Sequence, residues 1–318
     1  MAEGGPGFNG TTRAATAMRD YPDRLDFRLP PFLRMAWATA AARDRWSDPL
    51  NRFVEEIRAS EWLSVATGVR LAAIVVVSQT QAATLADEWL GRGLRSCILG
   101  PDDASRLRLF NGKTPHINTT DAVHLVTRSG RLEELEAMWR AADLLQIATW
   151  LGYPPCCAAF LQAMAGERQY LDITWGMVEG ETYEERGVQI AEVAGHAVNP
   201  LLTALGLRTA PHRPCSFCCE ETQRLATTYD NLRAEINPRL DKDKLADVMA
   251  WPVEWSSLHG IVEVRLPILK VCYDGDATAT DYKVRLTGGM MPEHAAQGLE
   301  FPYRPPQRRR IITQADLR

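Results

Sequence analysis

Two stretches of this chain make the same demand on its fold. Five of the seven cysteines fall in GYPPCCAAF (152–160) and HRPCSFCCEE (212–221), as Cys156, Cys157, Cys215, Cys218 and Cys219. In each, a proline precedes the first cysteine and a helical pattern begins beside it. Pro155 suits a first helical turn, where a missing N–H costs nothing. The first N–H groups of a helix are unpaired, and its dipole favours negative charge at that end. A cysteine placed there has a lowered pKa, and thiolates are what soft metals and clusters require. If both groups serve one centre, the fold must bring two helix starts together.

The spacing leaves several chemistries open. Cys215 and Cys218 form a C-x-x-C, the usual chelating spacing. Cys215 and Cys219 are i and i+4, so both face one side of a helical turn. Cys218 shares a helical stripe with Leu225, Tyr229 and Leu232, which points it toward the core. A zinc site wants four tetrahedral ligands. The side chains of adjacent Cys156 and Cys157 are expected to diverge, which disfavours one small ion and favours a larger cluster. Cys156 and/or Cys157 with Cys215 and Cys219 would hold a [4Fe–4S] cluster by three cysteines, leaving one iron open to act as a Lewis acid or to carry sulfur. Zinc is the alternative. A dithiol redox centre and buried structural thiols are the other readings. Cys97, in a strand, reads as a small hydrophobe, and Cys272 as core.

Composition narrows the class. Apolar residues make up 46% and charged residues 24% of the 318, ordinary values for a globular protein able to bury a sizeable core. The formal net charge of −4 gives no global basic footprint, so no nucleic-acid partner is expected. Arg308–Arg310 reads as a solvated tail. The longest apolar run, LAAIVVV (71–77), is far short of the roughly 20 residues a membrane span needs. No secretory h-region is apparent, so a cytoplasmic, reducing location is expected. An odd cysteine count also fits a disulfide framework poorly. The expected partner is a small-molecule substrate; oligomeric state is not legible.

The chain divides into an N-terminal arm and helices (1–60), a small α/β domain (61–130) and a cysteine-rich, metal- or cluster-binding region with C-terminal strands and a tail (131–318). Residues 31–65 carry a helical pattern. RLAAIVVVS (70–78) is a buried strand, and a helix capped by Thr80 follows it. RSCILG (95–100) and DAVHLVTRS (121–129) are strands. Asn111-Gly112 predicts a hairpin over 105–118. Leu132, Leu135, Trp139, Ala142 and Leu145 predict one long helix ending at Gly152, with a second beginning at Pro155. Residues 176–207 read as helical, and so does the segment after the second cysteine group. HGIVEVRLPILKVCYD (259–274) reads as a broken strand or strand pair, with DYKVRLTG (281–288) as a partner. The fold class is mixed α/β (α+β): a small sheet-containing N-terminal region, then a mainly helical cysteine region with a C-terminal β hairpin.

Standard nucleotide, zinc-protease and serine-hydrolase motifs are missing. NGKT (111–114) lacks the first glycine of a phosphate loop, because Leu107 stands there. Pro211 breaks the three-cysteine pattern of radical enzymes. Among polar residues, EWSSLHG (254–260) places Glu254, Ser256, Ser257 and His259 beside Trp251 and Trp255 as a substrate rim. His259, His212 and Ser257 are the catalytic candidates. His212, three residues before Cys215, could be a ligand, an outer partner or a proton donor. His196 and Asn199 are weaker, and His116, His124 and His294 read as structural.

LGYPPCCAAF followed by HRPCSFCCE resembles a family of uncharacterised prokaryotic proteins, domain of unknown function 483, over roughly 70–275. The paired motifs carry the resemblance, with the later WSSLHGIVEVR; the strand-rich front is less specific. The resemblance implies cysteines at the positions of Cys215 and Cys219 and another residue where Cys218 stands. That makes Cys218 a departure. It implies no activity.

The expectation is therefore an iron–sulfur enzyme acting by Lewis-acid activation or sulfur transfer, with His259 or His212 moving protons. A zinc-stapled binding or scaffold protein without catalysis is the alternative, and a thiol oxidoreductase a third reading.

Overall fold

The computed structural model describes residues 32–78, 80–111, 121–167, 173–178, 183–185, 188–194, 198–236, 242–258, 261–274 and 311–313. It is a mixed α/β protein, with the sheets, helices and C-terminal hairpin that the sequence predicts. In chain order, β1 (Leu33–Trp37) leads into the long helix α1 (Ala40–Ala66), capped by Thr39, whose side chain accepts from the Ala42 N–H. Then come β2 (Ala72–Val77), α2 (Ala82–Gly91), β3 (Leu94–Leu99), α3 (Ala104–Asn111) and β4 (Ala122–Arg128). Helices α4 (Leu132–Ala141), α5 (Leu144–Trp150), α6 (Pro155–Gln162) and α7 (Thr174–Val178) precede β5 (Tyr183–Glu185) and β6 (Val188–Ala194). Helices α8 (Glu220–Ile236) and α9 (Lys242–Met249) precede β7 (Val253–Leu258), β8 (Ile261–Arg265), β9 (Leu269–Asp274) and β10 (Ile311–Thr313).

The strands form two sheets. One is small and antiparallel, ordered β2-β4-β3. The other runs β1-β9-β8-β7-β6-β10, with β5 pairing on β6. Helix α1 is about 40 Å long at 1.5 Å per residue, so it reaches both cores. Leu50, Phe53, Val54 and Ile57 pack with Trp255, Val264 and Val271 of the larger sheet. Trp62, Leu63 and Val65 pack with Val75, Val126 and Tyr229 on one face of the small sheet. Its other face carries Ile74 and Leu125 and is covered by α4, α5 and α6, with Cys157 and Cys219 in the same core.

Several local predictions give way to tertiary pairing. Leu33–Trp37 is a strand rather than helix because β9 takes it as an edge partner, Leu33 opposite Tyr273. Residues 104–111 are helical, so the hairpin expected over 105–118 does not form there; Gly112 and the turn itself lie outside the described residues. The helix after β2 starts at Ala82 without a side-chain cap, so Thr80 does not cap it. Residues 188–194 form a strand instead of helix, paired between β7 and β10. The predicted strand 281–288 lies outside the described residues.

The long helix over 132–152 is broken in two. Ala142 adopts a left-handed conformation at φ 57°, and Asp143 starts a new helix by accepting from the Gln146 N–H at 3.0 Å. The break lets α5 turn across the core and end at the cysteine motif. There Gly152, at φ 80°, terminates α5 in the conformation that glycine adopts at least cost. Pro154 and Pro155 then set the start of α6, as predicted.

Candidate metal centre

Four sulfurs converge where α6 begins and α8 begins. Cys156 and Cys157 sit in the first turn of α6, after Pro155. Cys219 immediately precedes α8, and its carbonyl accepts from the Gln223 N–H at 3.1 Å. Cys215 lies in the loop four residues earlier. The Sγ atoms of Cys156, Cys157, Cys215 and Cys219 all lie within 4.8 Å of one another, and the group could hold a metal ion. Cys156 and Cys157 are 3.9 Å apart, Cys156 and Cys219 3.7 Å, and Cys157 and Cys219 3.5 Å. The expected divergence of the adjacent pair does not occur. In a first helical turn both side chains lean back toward the N-terminus, and Cys219 meets them there.

Cys218 stands apart from the four. It is exposed and its Sγ lies 3.4 Å from Ser216 Oγ. It precedes α8, so the core stripe drawn through Leu225 does not apply; the buried face of α8 carries Thr222, Ala226, Tyr229 and Leu232. Of the C-x-x-C pair, Cys215 belongs to the converging group and Cys218 does not. Cys97 is partly buried at the edge of the core, and burial pushes its thiol up to about 11. Cys272 is half-buried rather than core. It shares the outer face of β9 with Lys270 and contacts Glu263 Oε2 at 3.3 Å.

The thiols are electrostatically unequal. A hydrogen bond from Cys157 brings Cys215 down to about 5 against burial, with Cys219 and Cys156 adding theirs. Cys157 is pushed strongly upward, first by that same bond and then by burial. One thiolate thus shares the protons of its neighbours. Two helix N-termini add favourable dipoles at the same point.

Behind the sulfurs lies a buried polar layer. Cys157 Sγ is 3.6 Å from Thr222 Oγ1, which is 2.7 Å from His212 Nε2. His212 is buried and packs on the Tyr153 ring, 5.2 Å between centroids. Burial, with the Arg70 and Arg208 charges, brings its pKa down to about 3, so the ring is neutral. Tyr153 donates to the Phe110 carbonyl at 3.2 Å. Arg70 donates to Ser64, to the Leu151 carbonyl at 3.3 Å and to the Glu61 carboxylate, which also takes Arg208 at 2.8 Å. These bonds tie the turn carrying Cys156 and Cys157 to α1. The sequence gives little sign of Thr222, Arg70 or Glu61 as partners, because each meets the site from a different element.

The other predicted site residues lie elsewhere. Trp255 is fully buried in the core of the larger sheet, and Trp251 stacks edge-on against Trp46 at 4.7 Å. Glu254 and Ser256 lie within β7, the strand that leads into β8, and Glu254 pairs with Arg265. Ser257 is in β7 opposite Gln189 and Val262. His259, His196, His116 and His294 lie outside the described residues. Asn199 caps a 3₁₀ turn by accepting from the Leu201 N–H, and His124, in β4 of the small sheet, contacts Ser96 and Trp89. Among the described residues, no helix is long and apolar enough to cross a membrane. No family model matches the chain, and no curated protein or solved structure matches it either.

Proposed function

We propose that Cys156, Cys157, Cys215 and Cys219 bind one tetrahedral ion, zinc, as a structural centre joining the start of α6 to the start of α8. The sulfur spacing carries this reading. A zinc–sulfur bond of about 2.3 Å with tetrahedral angles places the ligands ~3.8 Å apart. Three of the pairs lie at 3.5, 3.7 and 3.9 Å. In a [4Fe–4S] cubane each thiolate binds a different iron and points outward from its own corner, so the sulfurs stand farther apart. The case for a cluster rested on diverging side chains at Cys156 and Cys157, which instead converge.

Such a site contributes folding free energy outright, because the ligands are gathered only in the folded chain. This favours a binding or scaffold protein over an iron–sulfur lyase or sulfurtransferase. The deciding experiment is metal and sulfide analysis of full-length protein purified without air. One zinc per chain and no acid-labile sulfide are expected. Iron with near-equal sulfide would establish the three-cysteine cluster and its open iron instead. Protein that holds neither after loading would overturn both.

A further inference from the structure

Beneath the four sulfurs, a buried chain of hydrogen-bonding atoms runs from Cys157 through Thr222 to His212. Its members come from three places in the chain: the first turn of α6, the first turn of α8 and the loop before Cys215. Cys157, Thr222 and His212 are each no more than 3% exposed. His212 Nδ1 is buried and has no hydrogen-bond partner among the described residues. A hydroxyl has one proton to give, so the protonation of Cys157 constrains both bonds that Thr222 makes.

When metal binds, the Cys157 S–H bond breaks, a metal–sulfur bond forms and the proton leaves to solvent. The bound sulfur can then only accept. Thr222 must spend its single proton on it, and Thr222 Oγ1 must accept from the ring. A neutral imidazole has one N–H, so that proton sits on Nε2 and Nδ1 is bare. The opposite tautomer would leave a buried Nδ1–H with nothing to donate to and two acceptors facing each other across 2.7 Å. We propose that Thr222 and His212 are positioning residues for the metal centre. His212 Nε2–H donates to Thr222 and Thr222 O–H donates to the Cys157 thiolate, so that metal loading fixes the His212 tautomer. This rests on the four-cysteine metal reading and adds the support that orients one ligand and stabilises its charge. Outer partners of this kind typically change metal affinity by about 10- to 100-fold.

The test uses full-length, ¹⁵N-labelled protein loaded with zinc. Long-range ¹H–¹⁵N spectra report which ring nitrogen is protonated, and the signals missing from His212→Gln assign the ring. The expected state is protonated Nε2 with bare Nδ1. Protonated Nδ1, or an imidazolium, overturns the proposal. Zinc competition gives the second arm: Thr222→Val should bind about 10-fold or more weakly, and Thr222→Ser should restore affinity. Equal affinity for Thr222→Val also overturns it. If Thr222→Val does not fold, the wild-type tautomer decides alone. Zinc held with the other tautomer defeats only this proposal. A wild-type chain that holds no zinc defeats the metal reading, and this one with it.

Discussion

Gly152 and Arg70 approach so closely that a side chain at 152 has nowhere to go. A Cβ there would stand 3.1 Å from Arg70 Cβ and 3.4 Å from its Cδ, and Gly152 is at φ 80°. Arg70 cannot retreat, because it is bound to Ser64, Glu61 and the Leu151 carbonyl. Gly152→Ala should therefore cost the left-handed penalty of about 1–2 kcal/mol, plus whatever Arg70 loses by shifting. It should also weaken zinc binding, since Cys156 and Cys157 ride on this turn. Gly91 is the control: nothing lies within 4 Å of a Cβ there, so Gly91→Ala at the end of α2 should change stability by under about 1 kcal/mol. Chemical denaturation of both variants checks this. Similar losses would show that the contact at 152 is unimportant.

Glu61 holds two guanidinium groups in the interior. Its carboxylate takes Arg70, itself buried, and Arg208, whose side chain is 16% exposed. Replacing it with Gln keeps the shape and strands both positive charges. Removing one partner from a buried pair typically costs about 3–5 kcal/mol. Glu88→Gln, which breaks the exposed pair with Arg92, should cost below about 1 kcal/mol. Comparable denaturation midpoints for the two variants would contradict the buried network.

What the sequence made legible was local. Prolines beside cysteines located the two helix starts, and the apolar run 71–77 located a buried strand, because these depend on near neighbours. Strand β6 was missed because its pairing to Val253–Ser257 outweighs the helical propensity of Gln, Ala and Glu. The break at Ala142 was missed because its apolar period continues through a left-handed residue. The convergence of Cys156 and Cys157 depends on side-chain lean in a first turn, which residue spacing alone does not express. Thr222 and His212 are paired by the entry of α8 alongside the Cys215 loop, a long-range placement with no motif.

The ligand set predicts a pattern among the cysteines. Ser in place of Cys156, Cys157, Cys215 or Cys219 should each abolish stoichiometric zinc, and the thermal midpoint should drop toward that of chelator-treated protein. Cys218→Ser should keep full zinc and wild-type stability, because Cys218 is exposed and outside the group. Cys97→Ser and Cys272→Ser should keep zinc too. Metal content after gel filtration reads the result. Zinc lost from Cys218→Ser but kept in Cys219→Ser would restore the C-x-x-C chelate.

His212 gives the metal-free protein a dependence on acid. Burial, aided by Arg70 and Arg208, brings its pKa from 6.5 to about 3 in the folded chain. Between those values the unfolded chain holds a proton that the folded chain refuses. Each proton bound only by the unfolded state favours unfolding. This share of stability is therefore complete above about pH 6.5 and declines as pH falls toward 3. Gln at 212 does not titrate and can still reach Thr222. The stability difference between wild type and His212→Gln, measured in chelator, should be constant above pH 6.5 and shift in favour of the variant below it. Taking the difference removes the titration of the four thiols, which both proteins share. A difference that stays flat from pH 7 to pH 4 would mean that His212 accepts its proton as readily in the folded chain as in the unfolded one, and that the polar layer behind Cys157 is open to water.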